Sequence, residues 1–120
     1  MKLFLSFYLD INYILQVQCF PLYSVLRALE LPTVDYFSLD IEGAEYQVLK
    51  TLPFSAGNIH LFGIETAHAG KIFDGSEDDI MKLLEKNGYE YVAYTRLDKF
   101  FQKQTIASKQ QKKRNIISIG

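Results

Sequence analysis

Along residues 17–101, short dense apolar runs alternate with stretches in which apolar residues recur every three or four positions. Val17-Gln18-Cys19-Phe20 is a short strand candidate closed by Pro21. Ser24 is placed to cap a short helix carrying Val25, Leu26 and Leu29, with Pro32 ending it. Val34 to Ile41 is the densest run, of the kind that suits a strand buried on both faces, as in parallel sheets. Gly43 turns the chain, and Ala44, Val48, Leu49 and Leu52 then fall at helical spacing before Pro53. Ile59 to Glu65 is a second dense run. Strand, helix and strand in so short a span predict a right-handed βαβ unit.

Further on, Ser76 with Asp79 three residues later has the spacing of a capping box. Ile80, Leu83 and Leu84 form the stripe of the helix it opens, and Gly88 is a natural stop. Tyr89–Thr95 and Leu97–Phe101 read as an antiparallel pair. From Gln102 on the chain is polar and basic, which predicts a flexible tail over 103–120. At the other end, Lys2 precedes an apolar run that stops at Asp10. That run is short for a signal peptide, and no small-residue cleavage site follows. Ile11 to Leu26 is uncharged but holds Asn12, Gln16, Gln18 and Pro21, whereas a membrane-spanning helix needs about 20 mostly apolar residues. Residues 1–16 therefore read as a hydrophobic lead-in with no transmembrane span.

Composition narrows the picture. A length of 120 residues allows one domain. A single cysteine, Cys19, excludes an intrachain disulfide and any cysteine-based zinc knuckle, and it reads as a small buried hydrophobe. The net charge of −1 conceals a split: residues 1–101 carry −6 and residues 102–120 carry +5. The basic cluster Lys112-Lys113-Arg114 has no interleaved aromatics, so it reads as a solvated tail and no nucleic-acid partner is expected.

The candidate chemistry lies where the two dense runs end. Asp40 closes the first, with Glu42 and Glu45 just behind; Glu65 closes the second, with His68 three residues later. In open α/β sheets ligands bind outside the carboxyl ends of the strands, so this topology aims several carboxylates and an imidazole at one crevice. Such a group can bind a cation, hold a divalent metal through oxygen, or act as acid and base. Each residue also has a structural role open to it. Glu42 and Glu45 can oppose a helix dipole, Asp40 and Glu65 can accept from nearby backbone N–H groups, and His68 can be a solvated loop residue. His60, alternating with apolar neighbours, reads as structural. A metal-dependent hydrolase using Asp40, Glu42, Glu65 and His68 is a further reading, but no metal is assigned.

Pro21-Leu22-Tyr23-Ser24-Val25-Leu26, the run Val34 to Glu45 with its Asp40-Ile41-Glu42-Gly43-Ala44-Glu45, and Val48-Leu49-Lys50 together resemble the FkbM family of S-adenosylmethionine-dependent methyltransferases. His68-Ala69-Gly70, Phe73-x-Gly75-Ser76 and Asn87-Gly88-Tyr89 are similar to its animal Star-like branch. The resemblance covers residues 17–102. It implies an α/β, Rossmann-like methyltransferase fold of strand order 3-2-1-4-5-7-6. Residues 17–20 would then be the end of strand 3, 34–41 strand 4, 59–65 strand 5, and 89–101 the terminal hairpin. It implies S-adenosylmethionine as cofactor, Asp40 and Glu65 as candidate catalytic residues, and Glu42, Gly43, Glu45 and His68 beside substrate or cofactor. The family's Gly-rich loop after strand 1 has no counterpart, since the seven glycines include no Gly-x-Gly.

The expectation is therefore a partial Rossmann-like domain, with a mostly parallel sheet and a C-terminal antiparallel hairpin. As a C-terminal half it would be inactive alone, its partner an unknown methyl acceptor or protein. With strands 1 and 2 missing, residues 12–20 would either pair with the strand over 34–41 or hang loose, and an exposed edge would favour self-association. The Star-like likeness implies a second reading, a non-catalytic interaction module in secretory-pathway membrane trafficking. Its setting would be endoplasmic reticulum, Golgi or endosome membranes, and otherwise the cytoplasm.

Overall fold

A computed structural model describes residues 3–8 and 14–119, and the side chains of 18–111, 113 and 114. Ten elements follow in order: β1 (Leu3–Tyr8), β2 (Ile14–Cys19), α1 (Leu22–Ala28), β3 (Thr33–Leu39), α2 (Glu45–Thr51), β4 (Asn58–Glu65), α3 (Glu77–Lys86), β5 (Tyr89–Tyr94), β6 (Asp98–Lys103) and α4 (Ile106–Ile119). The main sheet has four strands in the order β3-β4-β6-β5. β3 and β4 are parallel, with α2 as their crossover. β4–β6 and β5–β6 are antiparallel. The sheet is thus mixed, with one parallel pair rather than mostly parallel, because the chain returns through the hairpin on the side of β4 away from β3. This α/β arrangement is consistent with a partial Rossmann-like fold, and its order runs as the 4-5-7-6 end of the sheet that the resemblance implies.

The core is built on one register row. Phe37, Phe62, Phe101 and Tyr91 are successive cross-strand partners across all four strands. Phe37 meets Phe62 edge-on at 6.0 Å between ring centres, and Tyr91 meets Phe101 at 5.9 Å. Aromatic pairs facing each other across a ladder are the stabilising unit of a sheet. Leu49 of α2 and Ile80 and Leu84 of α3 close the same buried cluster with Leu39, Ile59 and Ile64. Tyr89 ties the hairpin to the start of β4: its buried hydroxyl donates to the Ile59 carbonyl at 2.7 Å.

The helix signals match the structure at α3. The Ser76 hydroxyl accepts from the Asp79 N–H at 3.2 Å while the Asp79 carboxylate accepts from the Ser76 N–H at 2.8 Å, a complete capping box. At α1 they do not. The helix starts two residues before Ser24, with Pro21 at the N-cap position. It ends in a Schellman arrangement, with Leu31 N–H donating to Leu26 O and Glu30 N–H to Arg27 O, and Glu30 in the left-handed region at φ 55°.

Three further expectations are corrected. Residues 14–19 neither pair with β3 nor hang loose; β2 forms a separate antiparallel ribbon with β1. Residues 9–13, Asp10 among them, lie outside the described residues. β3 is not buried on both faces: Asp35, Tyr36 and Ser38 are exposed, β3 being an edge strand with only β4 beside it among the described residues. Residues 106–119 are helical rather than a flexible tail. Thr105 and Ser108 open that helix reciprocally, each N–H donating to the other's hydroxyl, at 2.9 and 3.1 Å. Among the described residues no helix is long and apolar enough to cross a membrane.

Candidate functional site

The two parallel strands deliver their acids side by side, and the loops that carry them are fixed by main-chain geometry. β3 stops at Leu39, and Asp40 is the first residue beyond it. The chain then reverses through Glu42 and Gly43, both left-handed, at φ 58° and 102°. A non-glycine residue there costs roughly 1–2 kcal/mol. The Glu45 carboxylate offsets that cost. Its Oε1 accepts from the Ile41 N–H at 2.8 Å and from the Gly43 N–H at 3.2 Å, so it closes the turn from inside. Gly43 is required twice, once for its φ and once for space. A Cβ at that position would stand 2.8 Å from the His68 carbonyl oxygen. The loop after β3 and the loop after β4 are therefore pressed together backbone to backbone.

β4 ends on Glu65, which is buried. Its Oε1 accepts from the Ala67 N–H at 2.8 Å, which holds the carboxylate at the strand end. His68 bridges the two loops: its Nδ1 lies 3.2 Å from Glu42 Oε2 and 3.4 Å from Glu65 Oε1. Asp40, Glu45 and Glu65 each place a carboxylate oxygen within 4.8 Å of the other two. Asp40 is exposed, whereas Glu45 and Glu65 are 0% and 4% exposed. The Oε2 atoms of both Glu45 and Glu65 are buried without a hydrogen-bond partner among the described residues. Buried polar atoms are normally paired, so two orphans at one place call for a reason. Like charges at this spacing repel by about 3 kcal/mol per pair at an effective dielectric of 20. The arrangement is suited to receiving positive charge.

All of the candidate residues except the structural ones gather here. Asp40, Glu45 and Glu65 form the centre, Glu42 and His68 flank it, and Gly43 permits the close approach of the loops. His60 lies apart, its Nδ1 3.5 Å from Asp35 Oδ1 with both side chains solvent-accessible. Cys19 sits half-buried in β2.

A second polar group adjoins the site that sequence reasoning did not find. Thr66, next after Glu65, donates its hydroxyl to Glu77 Oε2 at 2.8 Å, and Lys99 Nζ lies 2.9 Å from Glu77 Oε1. The Lys99 hydrogen bond holds the Glu77 carboxyl below the usual carboxylate range, with the Thr66 bond assisting and partial burial opposing. Glu77 begins α3, so a first-turn acid was visible in sequence. Lys99 was not, because its position opposite Ile64 depends on the β4–β6 register.

The sequence matches the family model described as "Methyltransferase FkbM domain" over residues 3–91. No curated protein and no solved structure matches it. The matched span starts earlier than the motifs alone, taking in β1 and β2, and it carries no support for the Star-like branch in particular. With most of its length inside that match, and with the motif Asp40 to Glu45 meeting Glu65 at the carboxyl ends of its parallel strands, the chain belongs to the FkbM methyltransferase family.

Proposed function

We propose that this chain supplies the acceptor-side wall of a methyltransferase centre and does not by itself turn over S-adenosylmethionine. The observation that supports this reading is the cluster of Asp40, Glu45 and Glu65 at the carboxyl ends of adjacent parallel strands, in a chain of the FkbM family. Family membership implies dependence on S-adenosylmethionine. The described residues, however, do not fit that cofactor as a whole. The loop after β3 brings its backbone N–H groups of Ile41 and Gly43 to Glu45 rather than to a ligand, and the space beside its one glycine is taken by the His68 carbonyl. No Gly-x-Gly occurs to let main chain approach an adenosyl group.

What the chain's own residues can do is more specific. Asp40 is the accessible acid of the cluster, so it is the candidate to take a proton from an acceptor hydroxyl. Glu65 and Glu45, buried and tied to backbone N–H groups, set the field in which Asp40 works. Isothermal titration of the 120-residue chain with S-adenosylmethionine and with S-adenosylhomocysteine tests the reading. No heat of binding is expected at micromolar ligand. A micromolar Kd for either would show that the chain holds the cofactor unaided and would overturn the proposal.

A further inference from the structure

We infer that Asp40, Glu45 and Glu65 form a binding site for a single hard divalent cation. Two independent features lead there. The first is the donor set: three carboxylate oxygens, one from each residue, converge within 4.8 Å of one another. Oxygen-only, anionic donors select Ca²⁺, Mg²⁺ or Mn²⁺ over softer metals. The second is the pair of buried Oε2 atoms on Glu45 and Glu65 that nothing among the described residues satisfies. His68 reaches Glu65 and Glu42 but engages Glu65 through Oε1, leaving the orphans in place.

Three oxygens on one ion cannot all stand farther apart than about 4.0–4.5 Å for Ca²⁺ or about 3.5–3.6 Å for Mg²⁺, so these three, which lie within 4.8 Å of one another, are near enough for either ion to gather them. The frame is already set, because Glu45 and Glu65 are each fixed by backbone N–H groups through Oε1. Asp40 faces solvent, so the remaining coordination positions open outward, to water or to an oxygen of a bound molecule. The cation site stands whether or not the chain carries out methyl transfer.

Thermal melts and calorimetric titration with CaCl₂ and MgCl₂ test it, using the full chain, Asp40→Asn and Glu45→Gln. Asp40→Asn is exposed and should leave the fold intact, as far-UV circular dichroism would check, and Glu45→Gln retains an oxygen to accept from Ile41 and Gly43. The expected result is one ion per chain, for Ca²⁺ or Mg²⁺. The melting temperature should rise by roughly 10 °C at a hundredfold excess over Kd. Each variant should lose at least about tenfold in affinity, since each removes one of three charges on the ion. Absence of any shift up to about 10 mM of either ion, beyond the weakest range of natural calcium sites, would overturn the inference. So would an equal shift in the native chain and both variants, which would place the ion on other surface acids.

Discussion

β3 and β4 run side by side in the same direction, carry similar apolar runs and each end on an acid, yet they occupy different surroundings. β4 has a strand on each side, and from Phe62 to Glu65 it is buried without a break. Among the described residues β3 has only β4, and four of its seven residues, Thr33, Asp35, Tyr36 and Ser38, are open to solvent. Even its contact with β4 is lopsided: the ring of Tyr36, half exposed, lies in the space where Gly63 has no side chain. Neighbours, not composition, decide which of two apolar strands becomes the core. The same contrast carries to the acids, where Asp40 at the end of the edge strand is exposed and Glu65 at the end of the inner one is buried.

Substitution along the shared aromatic row tests this contrast most strongly. Phe62→Ala, in β4, should cost about 3–5 kcal/mol in urea unfolding, enough to unfold a marginal domain. Phe37→Ala, its register partner in β3, should cost about 1–2 kcal/mol, since the ring is only partly buried. Equal losses would show that the edge strand is as deeply held as the inner one. The two rings touch, so the double variant should fall short of the sum.

Next in size is the junction where the two strands' loops meet. Gly43→Ala introduces a left-handed alanine and a methyl carbon against the His68 carbonyl. It should cost about 2 kcal/mol and weaken binding of any ligand at the carboxylates, measured by chemical denaturation and titration. A neutral outcome would mean that the loops after β3 and β4 move independently.

The smallest effect lies at the far end of β4. Burial pushes the Tyr89 phenol up to about 12. A tyrosine in the unfolded chain ionises near pH 10. Between about pH 10 and 12 the unfolded chain has therefore lost a proton that the folded one keeps, and stability falls as pH rises through that window. Tyr89→Phe should remove that part of the alkaline loss, at the cost of about 1 kcal/mol at neutral pH for the hydrogen bond to Ile59. Urea midpoints at about pH 8 and 11 for both proteins would show it; an unchanged alkaline slope would mean that Tyr89 does not carry it.

Much of the local structure was legible from residues 34 to 101. The turn at Gly43, the box at Ser76 and Asp79, and the stop at Gly88, left-handed at φ 84°, are short-range signals read within a few residues. The hairpin was legible for the same reason. What escaped depends on distant partners. Apolar density over Val34–Ile41 could not show that β3 lies at an edge, because an edge is defined by what is absent alongside it. The ladder of Lys99 against Ile64, and with it the Glu77 network, needed the β4–β6 register. At the carboxylates, Asp40 and Glu65 were readable as strand ends. The role of Glu45 was not, since a first-turn acid becomes a buried turn-closing group only once Glu42 and Gly43 have taken left-handed conformations. The helix over 106–119 was missed although Thr105 and Ser108 carried its opening signal, because the basic run around it resembles a solvated tail.

The close approach of Gly43 to the His68 carbonyl has one more consequence. It fastens the two strand-end loops through atoms that every amino acid shares on one side and that only glycine supplies on the other. The frame therefore does not depend on the identity of the residue at position 40. A laboratory redesign could exchange Asp40 for another side chain, and so alter what the strand ends attract, while the scaffold beneath stays as it is. In engineering terms the crevice is a socket whose contacts are replaceable and whose mounting is Gly43.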